Sequence, residues 1–423
     1  MQIRAVVLAT LACLFVPHAA AQTRLPETYM ERLKTAEAAT APLPAAVFGR
    51  GGVPNGSDPA LDKLVLQHGS QLQMLGTARS FVGDTDGAMA AFDVLRRRQL
   101  RHSPAIVRQM ALLEHVAAEE AIAAIVREAR TKRIVLINEA HHVPLHRAFA
   151  QRLAAELRKI GYTYLACETF NALGAQAANE KRYVARDTGY YTSEPVFAGF
   201  VNAALADGWT LVPYEFEDIR VRTPAEQLRL REEMQARNLV DRIFAKDKDA
   251  KVLVLVGYSH HHKSPEAEPK TILMGEHLRR MSGLPSLHVE QVDFIAHPDP
   301  ADDNPLYAPL LATYPSQGPI VLRNEDGSYP ILLGVNGRID MQVIHPRYPV
   351  RDGRPGWLVS LAGRTAVPIP ARLLPSSGRR VIKATPASAP EDAVPTDIVL
   401  VEAGKPAPAL MLTKEPYRFS YEE

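Results

Sequence analysis

The sequence predicts an α/β protein: a mainly parallel sheet flanked by helices, with an N-terminal helical segment and a small C-terminal β-rich domain. Three observations predict it. Between Arg133 and Phe294, apolar β-branched runs of strand length alternate with longer segments of helical apolar periodicity, which is the pattern of βαβ units. Lys251–Gly257 (KVLVLVG) is almost continuously apolar, as a strand buried on both faces must be. After His297 proline becomes frequent, and short Val/Ile/Leu runs are separated by turn signals such as Asn336-Gly337 and Asp352-Gly353.

A chain of 423 residues usually divides into two or three units. The divisions read from the sequence are a signal peptide at 1–21, a flexible lead-in at 22–60, a helical segment at 61–130, the α/β domain at 131–297 and the β-rich domain at 298–423. Apolar content of 46% and charged content of 23% fit a globular protein, and a net charge of +2 argues against a general affinity for nucleic acid or anionic membrane.

Arg4 supplies a positive n-region, Ala5–Val16 an apolar core, and Ala19-Ala20-Ala21 a small-residue cleavage site before Gln22. This predicts a periplasmic or secreted protein. The run is too short to span a bilayer, and no later run reaches spanning length. Thr10 stands where a lipobox has an aliphatic residue, so ordinary cleavage is expected. Loss of Cys13 leaves Cys167 alone, without a disulfide partner in the chain.

From residue 61 the elements follow in order. Phe81–Leu95 has the pattern of one helical hairpin, and Ile106–Arg130 has helical spacing. Arg133–Asn138 is a strand, Pro144 opens a helix, and Gly161 stops it. Thr163–Cys167 is a strand, Leu173–Asp187 and Glu194–Asp207 are helices (the second capped by Ser193), and Trp209–Tyr214 is a strand. Thr223-Pro224-Ala225-Glu226 is a capping box with proline at the first helical position, opening a charged helix to about Lys246. Strand Lys251–Gly257, helix Thr271–Met281 and strand Ser286–Phe294 complete the domain.

The chemistry gathers where strands end, which in parallel sheets is where ligands sit. Glu139 and His141, Glu168, Glu215 and Glu217, and His260 and His262 follow four successive predicted strands. Of 14 histidines, His141, His142, His146, His260, His261 and His262 lie in two short turns. In extended backbone Glu139 and His141 point the same way, as do His260 and His262, with His261 opposed. Imidazole with carboxylate suits zinc, manganese or iron, and equally suits metal-free acid–base chemistry. Taken singly, each residue has a plainer reading. His146 fits a core histidine, His261 and His262 a solvated loop beside Lys263, and Glu215 and Glu217 a structural acidic turn. Arg231 fits a solvated helix face, Cys167 a small buried apolar residue, and the Tyr183–Tyr191 tyrosines a cover over the site.

These residues resemble the motifs of the ChaN-like and erythromycin-esterase-like superfamily, to which Tiki/TraB-type proteins are distantly similar. Asn138-Glu139-Ala140-His141-His142-Val143-Pro144-Leu145-His146 matches a Gly-Glu-x-His motif followed by a second His, with Asn138 in place of glycine. The esterase branch has one more residue between Glu and His, which would select His142. Leu165–Phe170 matches a strand ending in Glu168, Arg231–Asn238 a helix bearing Arg and Met, and Val256–His260 a strand, Gly, two residues and His. The resemblance implies Glu139, His141, Glu168, Arg231 and His260 as catalytic residues, with His141, His146, Glu168 and His260 as metal ligands. It implies a hydrolase acting on an ester or amide of a small molecule or peptide. The alternative it implies is a haem- or iron-binding protein using His260 and Tyr258.

Overall fold

The computed structural model describes residues 27–41, 67–96, 116–216, 223–266 and 271–423, with Gln109 and Leu113. The expected signal peptide and Glu217 lie outside the described residues. At its centre is an eight-stranded mixed sheet flanked by helices, the predicted α/β class, with small antiparallel sheets towards the C-terminus. The strands are β1 Val116–Glu120, β2 Ile134–Glu139, β3 Tyr164–Cys167, β4 Thr210–Val212, β5 Val252–Gly257, β6 Ser286–Phe294, β7 Ile320–Asn324 and β8 Met341–Ile344, in the order β1-β7-β8-β6-β2-β5-β3-β4. From β8 to β4 neighbouring strands are parallel; β7 and β1 close the other edge antiparallel.

The helices are α1 Tyr29–Thr40, α2 Gly69–Phe81, α3 Thr85–Arg96, α4 Ala121–Ala129, α5 Leu145–Arg158, α6 Ala172–Lys181, α7 Pro195–Ala206, α8 Pro224–Leu239, α9 Met274–Ser282 and α10 Tyr307–Thr313. Every residue of β2 and β5 is buried, so both faces must be covered. Val135, Ile137, Leu253 and Leu255 pack under α4, α5, α6 and α7. Leu136, Val252, Val254 and Val256 pack under α8 and α9. Each such aliphatic side chain contributes about 1.5–3 kcal/mol by leaving water.

This topology fixes where a site can form. From β2 the chain crosses to β3 and β4, returns to β5 between β2 and β3, and then passes to β6 on the other side of β2. Crossovers thus leave the β2/β5 pair in opposite directions, and the carboxyl ends of β2 and β5 border the crevice that such a switch point opens.

Four readings of the sequence are corrected. The lead-in contains α1, whose Thr28 and Glu31 form a reciprocal capping box and whose Tyr29, Met30 and Leu33 are buried. Residues 116–120 are an edge strand rather than helix. Antiparallel pairing with β7 satisfies their backbone, and that tertiary context outweighs the weak strand preference of VAAEE. The sheet does not end at His297, because β7 and β8 belong to it. What stands apart towards the C-terminus is a three-stranded sheet of Arg379–Pro386, Asp397–Glu402 and Tyr417–Glu422, with two-stranded pairs of Val350–Arg351 with Arg354–Pro355 and Thr365–Val367 with Leu410–Leu412. The cap of α7 is Glu194, whose carboxylate accepts from the Val196 and Phe197 amides at 2.8 Å each; Ser193 precedes it.

A helical hairpin is present, but it is formed by α2 and α3 and begins at Gly69; the predicted span Phe81–Leu95 holds only its turn and second helix. The two helices approach so closely that a Cβ on Gly76 would lie 2.4 Å from the Phe92 ring. No helix among the described residues is long and apolar enough to cross a membrane.

Candidate active site at the strand ends

Glu139 ends β2 on the face covered by α5 and α7, buried to 3% exposure. Its Oε1 lies 2.8 Å from His141 Nδ1, so the carboxylate accepts and Nδ1 carries the proton. Arg147 of α5, fully buried, grips the same carboxylate with Nε at 2.7 Å and Nη2 at 3.1 Å, and donates to Glu194 at 3.1 Å and to the His141 carbonyl at 2.7 Å. Burial alone would raise the Glu139 pKa, but the Arg147 charge and the hydrogen bonds from His141 and Arg147 overcome it and hold the group at about 2. The His141 ring stacks on Tyr191, with centroids 4.2 Å apart. A Cβ on Gly257 would lie 2.5 Å from His141 Nε2 and 3.0 Å from Glu168 Oε2, so glycine at the end of β5 is what lets these two groups approach.

Glu168 follows β3. The Gly257 amide donates to its Oε2 at 2.6 Å, and Arg231 Nη2 donates to its Oε1. Burial raises its pKa, but Arg231 and the two imidazoles His260 and His141 drive it far below the usual carboxylate range. Glu215 holds Arg231 in place, accepting from Nε at 3.0 Å and Nη2 at 2.6 Å while Gln235 supports it. Arg231 Nη1 faces His260 Nε2 at 3.5 Å. His260 Nδ1 contacts Glu232, a buried carboxylate of α8 that also accepts from the Met274 amide at 2.6 Å. Burial disfavours the His260 cation, yet Glu232 and then Glu168 outweigh it and raise its pKa above the usual value. Beside Glu215 a cleft of about 200 Å³ is lined by Pro213, Phe216, Met234 and Arg242.

Glu168, Arg231 and His260 are thus brought into one contact network, and the Glu139–His141 pair borders it across Gly257, at the carboxyl ends of β2, β5 and β3. Two imidazoles reach it from opposite faces of the sheet, each with a buried carboxylate at Nδ1. Arg231 is 7% exposed, so the solvated-face reading fails for it; Glu215, its anchor, serves the site. His142 stacks on Phe92 of α3 at 3.5 Å, leaving the mouth to His141. Asn138 is part of β2 and stitches the mouth from below. Its Nδ2 donates to the Tyr258 carbonyl (2.9 Å) and to Glu290 of β6 (2.6 Å), and its Oδ1 accepts from the Gln291 amide (2.9 Å). Tyr258 turns the chain in the left-handed region, at φ 47°.

His146 is not brought to the mouth. Its Nδ1 accepts from the Ala140 amide at 3.1 Å, its ring lies beside His345, and burial lowers its pKa to about 3, the profile of a core histidine. The set His141, His146, Glu168 and His260 therefore does not fit a metal, nor does His260 with Tyr258 fit haem iron: a guanidinium faces His260 Nε2, and a cation there would be repelled. Among the described residues the ligand atoms that do gather are those of His261, His262 and Glu290, all within 4.8 Å of one another, and this cluster can hold a metal ion. His261 and His262 are 0% and 8% exposed, so the solvated-loop reading is corrected. Burial, then the neighbouring imidazoles, push the His261 pKa well below the usual value.

Sequence reasoning missed Arg147, Glu194, Glu232 and Glu290. A signal existed for two of them. Arg147 interrupts the apolar face of an amphipathic helix, and Glu290 is, with Asp293, one of two acids among the apolar residues of the strand SLHVEQVDF.

The pH response follows from Glu139. Its folded pKa lies below the ordinary 4.5, so the stability it contributes is complete above about pH 4.5 and is lost as pH falls towards 2. Acid titration followed by far-UV circular dichroism should show unfolding begin in that window for the native protein, with a smaller pH dependence for Glu139→Gln.

The sequence matches no model of a known protein family. No curated protein matches it. Solved structures with a partial likeness include the type III effector HopBA1, at 14% identity over 43% of this chain and 90% of that chain, with a TM-score of 0.29. A structure of bacterial protein toxins has 16% identity over 57% and 50%, with a TM-score of 0.32. RRSP, a MARTX toxin effector domain from Vibrio vulnificus CMCP6, has 18% identity over 55% and 46%, with a TM-score of 0.29. The chain spans about half the length of the latter two, and at these TM-scores none of the likenesses carries an argument about activity.

Proposed function

We propose that the protein is an exported hydrolase that cleaves an ester or amide bond by His/Glu acid–base chemistry at the mouth of β2, β5 and β3. The observation that carries this reading is the pair of imidazoles, His141 on Glu139 and His260 on Glu232, facing one buried Glu168–Arg231 pair. Two imidazoles oriented by carboxylates can divide proton transfer from the stabilisation of developing charge. His141 Nε2 takes a proton from water, and the hydroxide formed attacks the substrate carbonyl. Arg231 and protonated His260 stabilise the developing oxyanion. The proton then passes from His141 to the departing alcohol or amine as the carbon–oxygen or carbon–nitrogen bond breaks. Glu168 positions Arg231. The cleft beside Glu215, lined by Pro213, Phe216 and Met234, suits an apolar substituent of a small molecule or peptide.

Export rests on the n-region, apolar core and cleavage site of residues 1–21. The motif resemblance to the ChaN-like and erythromycin-esterase-like superfamily supports the same choice of residues. A divalent metal at the mouth, whether zinc, manganese or iron, and the haem alternative are not part of this reading, because Arg231 occupies the approach to His260.

The test is a panel of chromogenic esters and amides offered to the mature protein. His141→Ala should lower kcat/KM at least 10²-fold on any substrate turned over, the ordinary size of a lost acid–base partner, and Glu168→Gln about as much by freeing Arg231 from the oxyanion position. Unchanged turnover in both variants would sink the mechanism.

A further inference from the structure

Directly behind the mouth, the turn after β5 presents two more imidazoles to β6, and the hydrolytic reading uses neither. His261 is fully buried, and its Nδ1 donates to the Tyr258 carbonyl at 3.0 Å. That bond settles the tautomer: Nδ1 carries the proton and Nε2 carries a lone pair. Nε2 has no hydrogen-bond partner, and it points at Glu290 Oε2 from 3.7 Å. His262 Nε2 faces the same oxygen from 3.9 Å. Lone pair facing carboxylate across that gap is repulsive, and the gap is too long for a hydrogen bond.

Glu290 is itself fixed. Its Oε1 accepts from the Val292 amide at 2.6 Å, and Asn138 Nδ2 reaches Oε2 at 2.6 Å. The carboxylate is therefore aimed at the imidazoles by bonds from two other parts of the sheet. A ring nitrogen held by a backbone carbonyl and a carboxylate held by an amide are the supports that metal ligands ordinarily have. Zinc bonds of roughly 2.0–2.2 Å place tetrahedral donors about 3.3–3.6 Å apart. The two imidazole–carboxylate separations, 3.7 and 3.9 Å, need a closure of only a few tenths of an ångström, and the two imidazole nitrogens, which lie within 4.8 Å of each other, draw together on the ion.

We propose that His261, His262 and Glu290 form a zinc-type divalent cation site, separate from the hydrolytic mouth, that cross-links the turn after β5 to β6. The cation supplies the positive charge that this cluster lacks. Two imidazoles and one carboxylate leave a fourth coordination position for water, on the side of His262, the more exposed imidazole. Because the bound ion ties residues 261 and 262 to residue 290, it stabilises the folded chain by mass action. The inference stands whether or not the hydrolase reading does.

The experiment is titration of the metal-stripped mature protein, carrying no histidine tag, with Zn²⁺ alone, by calorimetry and by thermal unfolding. One zinc per chain and a zinc-dependent rise in Tm are expected. Glu290→Gln and His262→Gln should each weaken binding at least tenfold, whereas His141→Asn and His260→Asn should bind as the native protein does. Cobalt loaded into the native protein should give the visible absorption of a tetrahedral site, a readout that needs no variant to fold. Absence of zinc binding by the folded native protein overturns the proposal. So does binding that survives both Glu290→Gln and His262→Gln, or that is lost in His260→Asn, which would move the ion to the mouth.

Discussion

Replacing Arg147 by methionine is expected to destabilise the protein by about 3–5 kcal/mol, the usual consequence of removing one partner from a buried ion pair. Methionine keeps most of the apolar stem but removes the guanidinium that lies over the Phe197 ring and every charge-assisted bond to Glu139 and Glu194. Two carboxylates then remain under the α5/α7 face with no cation in contact. Glu194 retains its bonds to the α7 amides; Glu139 retains only His141. Glu139 would relieve the strain by taking up a proton, so its pKa should rise steeply from about 2. Urea unfolding at neutral pH reads the loss directly, and a change under about 1 kcal/mol would show that Arg147 is not holding this end of β2 together. In the double variant Glu139→Gln, Arg147→Met part of the loss should return, because the two side chains act as one unit.

Arg231→Lys is expected to lower kcat/KM about 10²-fold or more. Arg231 spans Glu215 with two nitrogens, touches Glu168 with one of them and presents a third to His260. A lysine ammonium is a point charge on a flexible stem and cannot serve these positions together. It would settle on one carboxylate and leave the other without its partner, so the orientation at His260 is lost while the net charge is kept. Kinetics on the substrate found by the panel, with KM separated from kcat, checks this. A Lys variant of native kcat would show that the planar fork has no role.

The alternation of strands and helices was legible because the central strands are buried on both faces and read as unbroken apolar runs. The predicted bounds of β6, Ser286–Phe294, match the structure, and those of β5 differ by one residue. The site was legible for a related reason. Charged and imidazole side chains placed immediately after such runs, at Glu139, Glu168 and His260, have no place inside the strands and must lie at their ends. What could not be read was long-range partnership. Nothing near Glu232 in the sequence says that it backs His260, since their contact depends on α8 lying across β5. Val116–Glu120 is a strand only because β7, some two hundred residues later, supplies the ladder. His146 enters the metal set only through the motif resemblance, as the second His after Glu139 and His141. Beginning a helix at Leu145 instead turns its Nδ1 back onto the Ala140 amide. Glu290 escaped notice because its partners are a turn and a strand that meet only in three dimensions.

The account rests on His141 and His260 serving one reacting centre from opposite faces of the sheet, and a double-mutant cycle measures that most directly. With one hydrolysed substrate, kcat/KM is determined for the native protein, His141→Asn, His260→Asn and the double variant. Each single variant should lose about 10²-fold or more, and the double variant should lose little beyond the worse single, because groups acting on one transition state are not additive. Losses that multiply, or a single variant with native kcat/KM, would contradict the shared site.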